Sequence, residues 1–290
     1  MELLQPSSAE EAAAALGNGS RALAGGTELV PLLRDGLVKA ETLVHVSGVV
    51  PRGVDGDRVS GSEPLSHRIG AGTTLAELES DERVPQALHE ACSQAASPQL
   101  RSMGTIGGNL LQATRCWYWR LGFDCWLHGG ERCFAKDGAH REHAIFGNGD
   151  CASAHPSDVA AALVALNATL RTTKRELAVA DLYRLPTADD RNVTTLASDE
   201  LILELDVPSP RASTYLKAMD RRKWAFPIVG VAAARFAAGT RIVLAGVAPI
   251  PWRLSSAADL DNATPLPGTA YKVDIARTLV SRALRQLDAP

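Results

Sequence analysis

Four of the five cysteines fall between Cys116 and Cys151, spaced C-x8-C-x7-C-x17-C. They sit inside a stretch from Ser97 to Asp158 that opens as SPQLRSMGTIGGNLLQ, passes through RCWYWRLGFDCWLHGGERC and closes on CASAHPSD. A fold that accepts this stretch must either gather dispersed thiols or keep them apart, directly after a glycine-rich turn. Structural zinc normally takes close C-x2-4-C pairs, because one turn then delivers two thiolates to one ion. No such pair occurs. Thiolates spread along a wrapping loop suit a [4Fe–4S] cluster, whose irons offer separated points of attachment. Cys116, Cys125, Cys133 and Cys151 are the candidate ligands, with zinc and unligated or disulfide-bonded thiols as the alternatives. Trp117, Trp119 and Trp126 crowd the first two cysteines and would limit water access, one determinant of a cluster's potential. His128, His140, His143 and His155 read as polar loop residues. Arg115 and Arg120 flank the first cysteine and would offset an anionic cluster, although a solvated face explains them equally well.

The rest of the composition narrows the setting. A chain of 290 residues suggests two domains, and 46% apolar with 22% charged residues is ordinary for a globular protein. A net charge of −3 gives no basic field for nucleic acid. No apolar run approaches the roughly 18 residues of a membrane span. The start, MELLQPSSAEEAAAALG, lacks a basic n-region and reads as a folded domain, so a cytoplasmic location is expected. An odd cysteine count, clustered locally, fits metal or iron–sulfur chemistry better than a disulfide framework. Cys92, alone on an apolar helix, reads as a buried structural thiol.

Along the chain, Ser8 with Glu11 forms a capping-box pattern before an alanine-rich helix that Gly17 ends. RALA is a strand running into Gly25–Gly26, Thr27 can cap the helix ELVPLLRD, and TLVHV is the next strand. This β-α-β unit has its glycine turn at a strand-to-helix junction, where free N–H groups and the helix start can cradle a pyrophosphate. SHRIGAGTTLAELES reads as strand, turn and a helix capped by Thr74 with Glu77. DVAAALVALNATL is a helix running into a strand. LPTADDRNVTT is a polar boundary near 185–197, strand-like segments follow it, and VDIARTLVSRALRQL closes as an amphipathic helix.

In GTIGGNL, the glycines let backbone approach a flat ring or phosphate while Thr105 and Asn109 supply directional hydrogen bonds. AGGTEL, IGAGTTL, SPQLRSMGTIGGNL, HPSD, LKAMDRR and AGVAPIPWR occur in that order over about 230 residues. The series resembles the FAD-binding subunit of the molybdenum hydroxylases, the group of xanthine dehydrogenase, carbon monoxide dehydrogenase and bacterial aldehyde oxidoreductases. The resemblance implies an α+β fold: a two-part vanillyl-alcohol-oxidase-type FAD domain, then a smaller C-terminal α+β domain. The implied boundaries are 1–185 for the FAD domain (1–52 and 53–185, with an iron–sulfur loop at 111–151) and 186–290 for the second. By the same resemblance, Ala24, Gly25, Gly26, Thr27, Glu28 and Leu29 form the pyrophosphate loop, and Thr105, Gly108 and Asn109 the second FAD loop. Asp158 would hold the adenosine part of FAD, Ile202 would lie beside the flavin ring, and Lys217 would contact the cofactor. Asp158 as a mere first-turn acid behind Ser157, and Lys217 as a solvated strand lysine, are the plain alternatives.

Most members of that group lack the cysteine loop. RCWYWR, HAIFG and CASAHPSD resemble the aldehyde oxidoreductase branch, in which such a loop carries [4Fe–4S]. The implied function is an electron-transfer subunit with FAD and [4Fe–4S], beside a large molybdenum-cofactor subunit and a small [2Fe–2S] subunit. Electrons would arrive from the small subunit and leave to an external acceptor. No catalytic acid, base or nucleophile is needed, because the flavin carries the chemistry. Two other readings stand: a stand-alone FAD-dependent oxidoreductase of the same superfamily, and a zinc-stabilised assembly subunit. A periplasmic location would require export with a partner that carries the signal.

Overall fold

The computed structural model describes residues 1–17, 19–58, 65–220 and 224–289. The last two residues of LKAMDRR lie outside them. Three sheets succeed one another along the chain. In the first, β1 (Glu2–Leu4), β2 (Ser20–Leu23) and β3 (Thr42–His45) are all parallel, in the order β1-β3-β2. The parallel β2–β3 pair needs a crossover, and the helix Leu29–Arg34 supplies it. The helix Ala9–Ala15 starts at Ser8, whose Oγ accepts from Glu11 N–H at 3.1 Å. The Glu11 carboxylate turns instead to Ser7 N–H and Oγ, so only half of the expected box forms.

The second sheet contains β4 (Val54–Arg58), β5 (Ser66–Gly70), β6 (Thr169–Thr172), β7 (Glu176–Ala178) and β8 (Ile202–Pro208). Its order is β4-β5-β8-β6-β7, with antiparallel neighbours throughout. The central strand β8 therefore comes from beyond position 185, where the sequence suggests a boundary. Its alternating burial explains the choice: Ile202, Leu203, Leu205 and Val207 are buried, and the pairing carries this sheet to Pro208. The third sheet, β9 (Ala212–Asp220), β10 (Trp224–Phe236), β11 (Gly239–Ala245) and β12 (Trp252–Leu254), is an antiparallel meander in the order β12-β11-β10-β9.

The helix Asp158–Ala165 runs beneath the third sheet and directly precedes β6 of the second. Every one of its residues is buried, as expected for DVAAALVA, which is apolar on all sides after its first residue. It packs on β10, β11 and the helix Gln86–Gln94. Cys92 is fully buried in that neighbouring helix, and burial pushes its thiol well up, in line with a structural role. A second apolar cluster joins β10 and β11 to the C-terminal helix Tyr271–Asp288 through Val231, Leu244, Ala276 and Val280. Among the described residues no helix is long and apolar enough to cross a membrane.

The helix Leu75–Ser80 carries the complete capping box expected from its sequence. Thr74 Oγ1 accepts from Glu77 N–H, and the Glu77 carboxylate accepts from Thr74 N–H at 2.8 Å. Thr74→Ala should lower stability by about 1 kcal/mol, with Thr74→Ser close to wild type. Equilibrium urea denaturation reads both.

Candidate cofactor site

Three turns, each at the start of a helix, meet at one place. The first is Ala24–Leu29. Gly26 sits at φ +70°, a conformation that favours glycine. At Gly25 an added Cβ would lie 1.7 Å from the Met103 carbonyl oxygen. The close approach is therefore between this turn and the second one, Met103–Asn109. Thr27 Oγ1 also faces Gly104. No side chain caps the helix Leu29–Arg34, whose N-cap position is Glu28 rather than Thr27. In its first turn Val30 N–H already donates to Gly26 O at 3.1 Å and Pro31 carries no N–H, so this helix start offers an anion little beyond the Leu29 N–H.

The second turn is laced to the third, Ala71–Leu75. Ile106 N–H donates to Thr73 O at 2.8 Å, Gly107 N–H to Ala71 O at 3.0 Å, and Leu75 N–H to Gly104 O at 3.0 Å. A Cβ at Gly107 would press on Ala71 Cβ at 3.0 Å. Thr105 caps the helix Ile106–Leu110, its Oγ1 accepting from Gly108 N–H at 3.2 Å. Gly108 is exposed and Asn109 half-buried. Asn109 Oδ1 accepts from Ser157 Oγ at 2.5 Å, and Ser157 in turn caps the Asp158 helix. Ile202 opens β8 and is buried; its neighbour Leu203 accepts from Ala71 N–H at 2.8 Å.

Asp158 and Lys217 lie deeper. Lys217 Nζ donates to Asp158 Oδ2 at 2.9 Å and to the carbonyls of Gln94 and Ala225, and Tyr215 Oη–H donates to Asp158 Oδ1. Both side chains are almost entirely buried, at 0% exposed for Lys217 and 4% for Asp158. Burial pushes the Asp158 carboxyl up, against the pull of Lys217 and Tyr215. Lys217 is thus no solvated strand lysine. It backs onto an open cleft of about 480 Å³ between β9 and the C-terminal helix, lined also by Gln94, Arg282 and Arg285. The three turns do not line that cleft.

The cysteine loop leaves the second turn and returns at Asp158. Cys116, Cys125, Cys133 and Cys151 all line one small pocket, walled by Tyr118, Trp119, Trp126 and Phe134. Ala152 N–H donates to Cys133 Sγ at 3.5 Å. Burial pushes the Cys116 thiol up to about 11. The Cys133 and Cys151 thiols act on each other, which lowers the Cys133 thiol and raises that of Cys151. Among the described residues no three His, Cys, Asp or Glu side chains converge tightly enough for a single metal ion.

Two arginines that composition leaves ambiguous have a definite role. Glu28, in the first turn, takes Arg115 Nη1 at 2.7 Å, Arg120 Nη2 at 2.5 Å and Ala113 N–H at 3.0 Å. The Glu28 carboxylate therefore clasps the start of the cysteine loop. At the other end, Ile145 and Phe146 N–H donate to Val247 O, and His155 N–H donates to Ala248 O at 2.7 Å. Lys272, fully buried, donates to Glu142 O and Gly246 O, and burial lowers it to about 7. Of the four histidines, His143 and His155 are buried rather than loop-exposed, at 2% and 4%. Burial pushes His155 down to about 3, so it is neutral.

The chain belongs to the family of FAD-binding domains in molybdopterin dehydrogenases, which it matches over residues 1–210. It is 36% identical over 253 residues to the aldehyde oxidoreductase FAD-binding subunit PaoB of Escherichia coli, covering 82% of this chain and 78% of PaoB. Its fold matches a chain of carbon monoxide dehydrogenase from Hydrogenophaga pseudoflava with a TM-score of 0.69 at 24% identity, covering 99% and 96% of the two chains. Quinoline 2-oxidoreductase from Pseudomonas putida 86 gives 0.68 at 18% identity, covering 99% and 96%. The α+β architecture expected from the motifs is the one found.

Proposed function

We propose that this chain is the FAD-binding electron-transfer subunit of a molybdenum-containing aldehyde dehydrogenase-type complex and also carries a [4Fe–4S] cluster. A large molybdenum-cofactor subunit and a small [2Fe–2S] subunit are its partners, with an external acceptor as the outlet. The observation that carries the reading is the contact of the two glycine turns at Gly25 and Met103 in a chain of this family. Bound FAD supplies reversible hydride or single-electron acceptance. The residues do the rest. Ala24, Gly25, Gly26, Thr27 and Leu29 form the loop for the pyrophosphate, whose side-chain-free glycines let the backbone approach it closely. Thr105, Gly108 and Asn109 offer the second turn, and buried Ile202 excludes water behind it. Asp158, oriented by Tyr215 and Lys217, is the acid for the adenosine part. Glu28 belongs to this loop but acts through its arginines, holding the cysteine loop against the flavin turn.

Three features of the loop fit a cluster. Four thiols line one pocket, a backbone N–H (Ala152) donates to one of the sulfurs, and aromatic rings close the walls. Buried thiolates need positive charge nearby, and iron supplies it. The spacing of the four, with no close C-x2-4-C pair, favours a cluster over zinc. On this reading the cysteine loop is an insert at 111–151 in the second part of the FAD domain, and the third sheet with the C-terminal helix is the smaller domain.

The test is anaerobic purification of the complex, followed by flavin, iron and sulfide analysis of this subunit. One FAD with about four iron and four sulfide per chain is expected. A colourless chain with stoichiometric zinc would sink both assignments. Steady aldehyde turnover by the chain purified alone would sink the subunit reading.

A further inference from the structure

His143 lies between Cys133 and Cys151 in the chain, is not among the candidate ligands and has no assigned role. Its Nε2 sits 3.2 Å from Cys116 Sγ, and its ring packs edge-on against Trp117 with centroids 4.8 Å apart. The ring is buried, and its Nδ1 has no hydrogen-bond partner. A nitrogen left unpaired in the interior is costly. A fold that accepts this cost holds the ring in place through its other nitrogen. That nitrogen faces sulfur.

Resting on the cluster reading above, we propose that His143 is a positioning residue that donates Nε2–H to Cys116 Sγ and raises the cluster's reduction potential. A cluster-bound thiolate has no proton and can only accept. The nitrogen facing it must therefore carry the hydrogen, which fixes the Nε2–H tautomer and leaves Nδ1 as the bare lone pair. One-electron reduction adds negative charge to the cluster and its sulfurs without adding a proton. A fixed donor to one sulfur is then stronger in the reduced form than in the oxidised form, so it favours reduction. His143 is the side chain whose ring nitrogen reaches the Cys116 sulfur.

The experiment uses the purified complex, dithionite with mediators as the reductant, and electron paramagnetic resonance to follow the cluster. His143→Phe keeps a ring against Trp117 and deletes the donor. His143→Gln replaces the ring but keeps an N–H at a similar reach. Iron and sulfide are measured for each. The expected result is full iron in both variants. The Phe variant shows a more negative midpoint by about a tenfold change in the reduction equilibrium, equal to about 59 mV for one electron. The Gln variant returns most of that shift. Iron lost from Phe but retained in Gln, with a midpoint close to wild type, also supports the donor role. Full iron with unchanged midpoint in Phe overturns it, as does an equal shift in both variants or iron lost from both. Wild-type complex without iron or sulfide in this subunit overturns the cluster reading first, and this inference with it.

Discussion

Replacing Cys125 with serine is expected to strip the iron from this subunit while leaving its FAD in place. Cys125 is buried, and its backbone is pinned independently of its sulfur. Its N–H donates to Phe123 O at 2.7 Å, and its carbonyl accepts from His128 and Gly130 at 2.8 and 3.0 Å. Arg191 holds the following turn through the Trp126 and Gly130 carbonyls at 2.6 and 2.9 Å. Serine is nearly the same size, so the turn keeps its shape and only the ligand changes. Iron should fall from about four per chain to less than about one. The FAD turns lie on other segments, so the flavin spectrum should persist. Cys92→Ala is the control, since Cys92 is buried away from the pocket. Iron unchanged in Cys125→Ser would remove Cys125 from the ligand set.

The second large effect belongs to Lys217. Lys217→Met removes the cation that faces Asp158 in the interior and leaves a buried carboxylate with Tyr215 alone. Breaking one side of a buried pair typically costs about 3–5 kcal/mol. The loss should depend on pH in a stated direction. Burial already raises the Asp158 carboxyl above its ordinary value, and removing Lys217 raises it further. A carboxyl raised in the folded state binds its proton more tightly when folded than when unfolded. Its contribution is therefore most favourable below the unfolded value near 4 and declines as pH rises through the folded one. The penalty of Lys217→Met should be full at neutral pH and shrink as pH falls toward 4. Adding Asp158→Asn should recover much of it at pH 7. Urea denaturation between pH 4 and pH 8 reads the trend, and a penalty independent of pH would refute the account.

Much of this arrangement could be read from residues in short range of one another. The Thr74–Glu77 box, the Ser157 cap before Asp158 and the Gly25–Gly26 turn are local patterns, and local patterns survive into the fold. The collinear motifs pointed to the family that the chain belongs to. What the sequence hid was long range. Nothing near Glu28 announces that its partners are Arg115 and Arg120, the latter 92 positions on. A strand at 202–208 shows its alternation, yet not that it completes a sheet begun at Val54. His143 looked like a polar loop residue because an irregular segment has no period from which burial can be read. The unpaired Nδ1 that gives it meaning exists only once the loop has closed.

Glu28 stands three residues past Gly25 and grips both arginines that bracket Cys116. Moving the cysteine loop away from the flavin turn breaks two charge-assisted contacts and strips a half-buried carboxylate of its partners. The start of the cysteine loop is therefore tied to the first glycine turn by charge as well as by chain connectivity, and a change in the position of one is carried to the other.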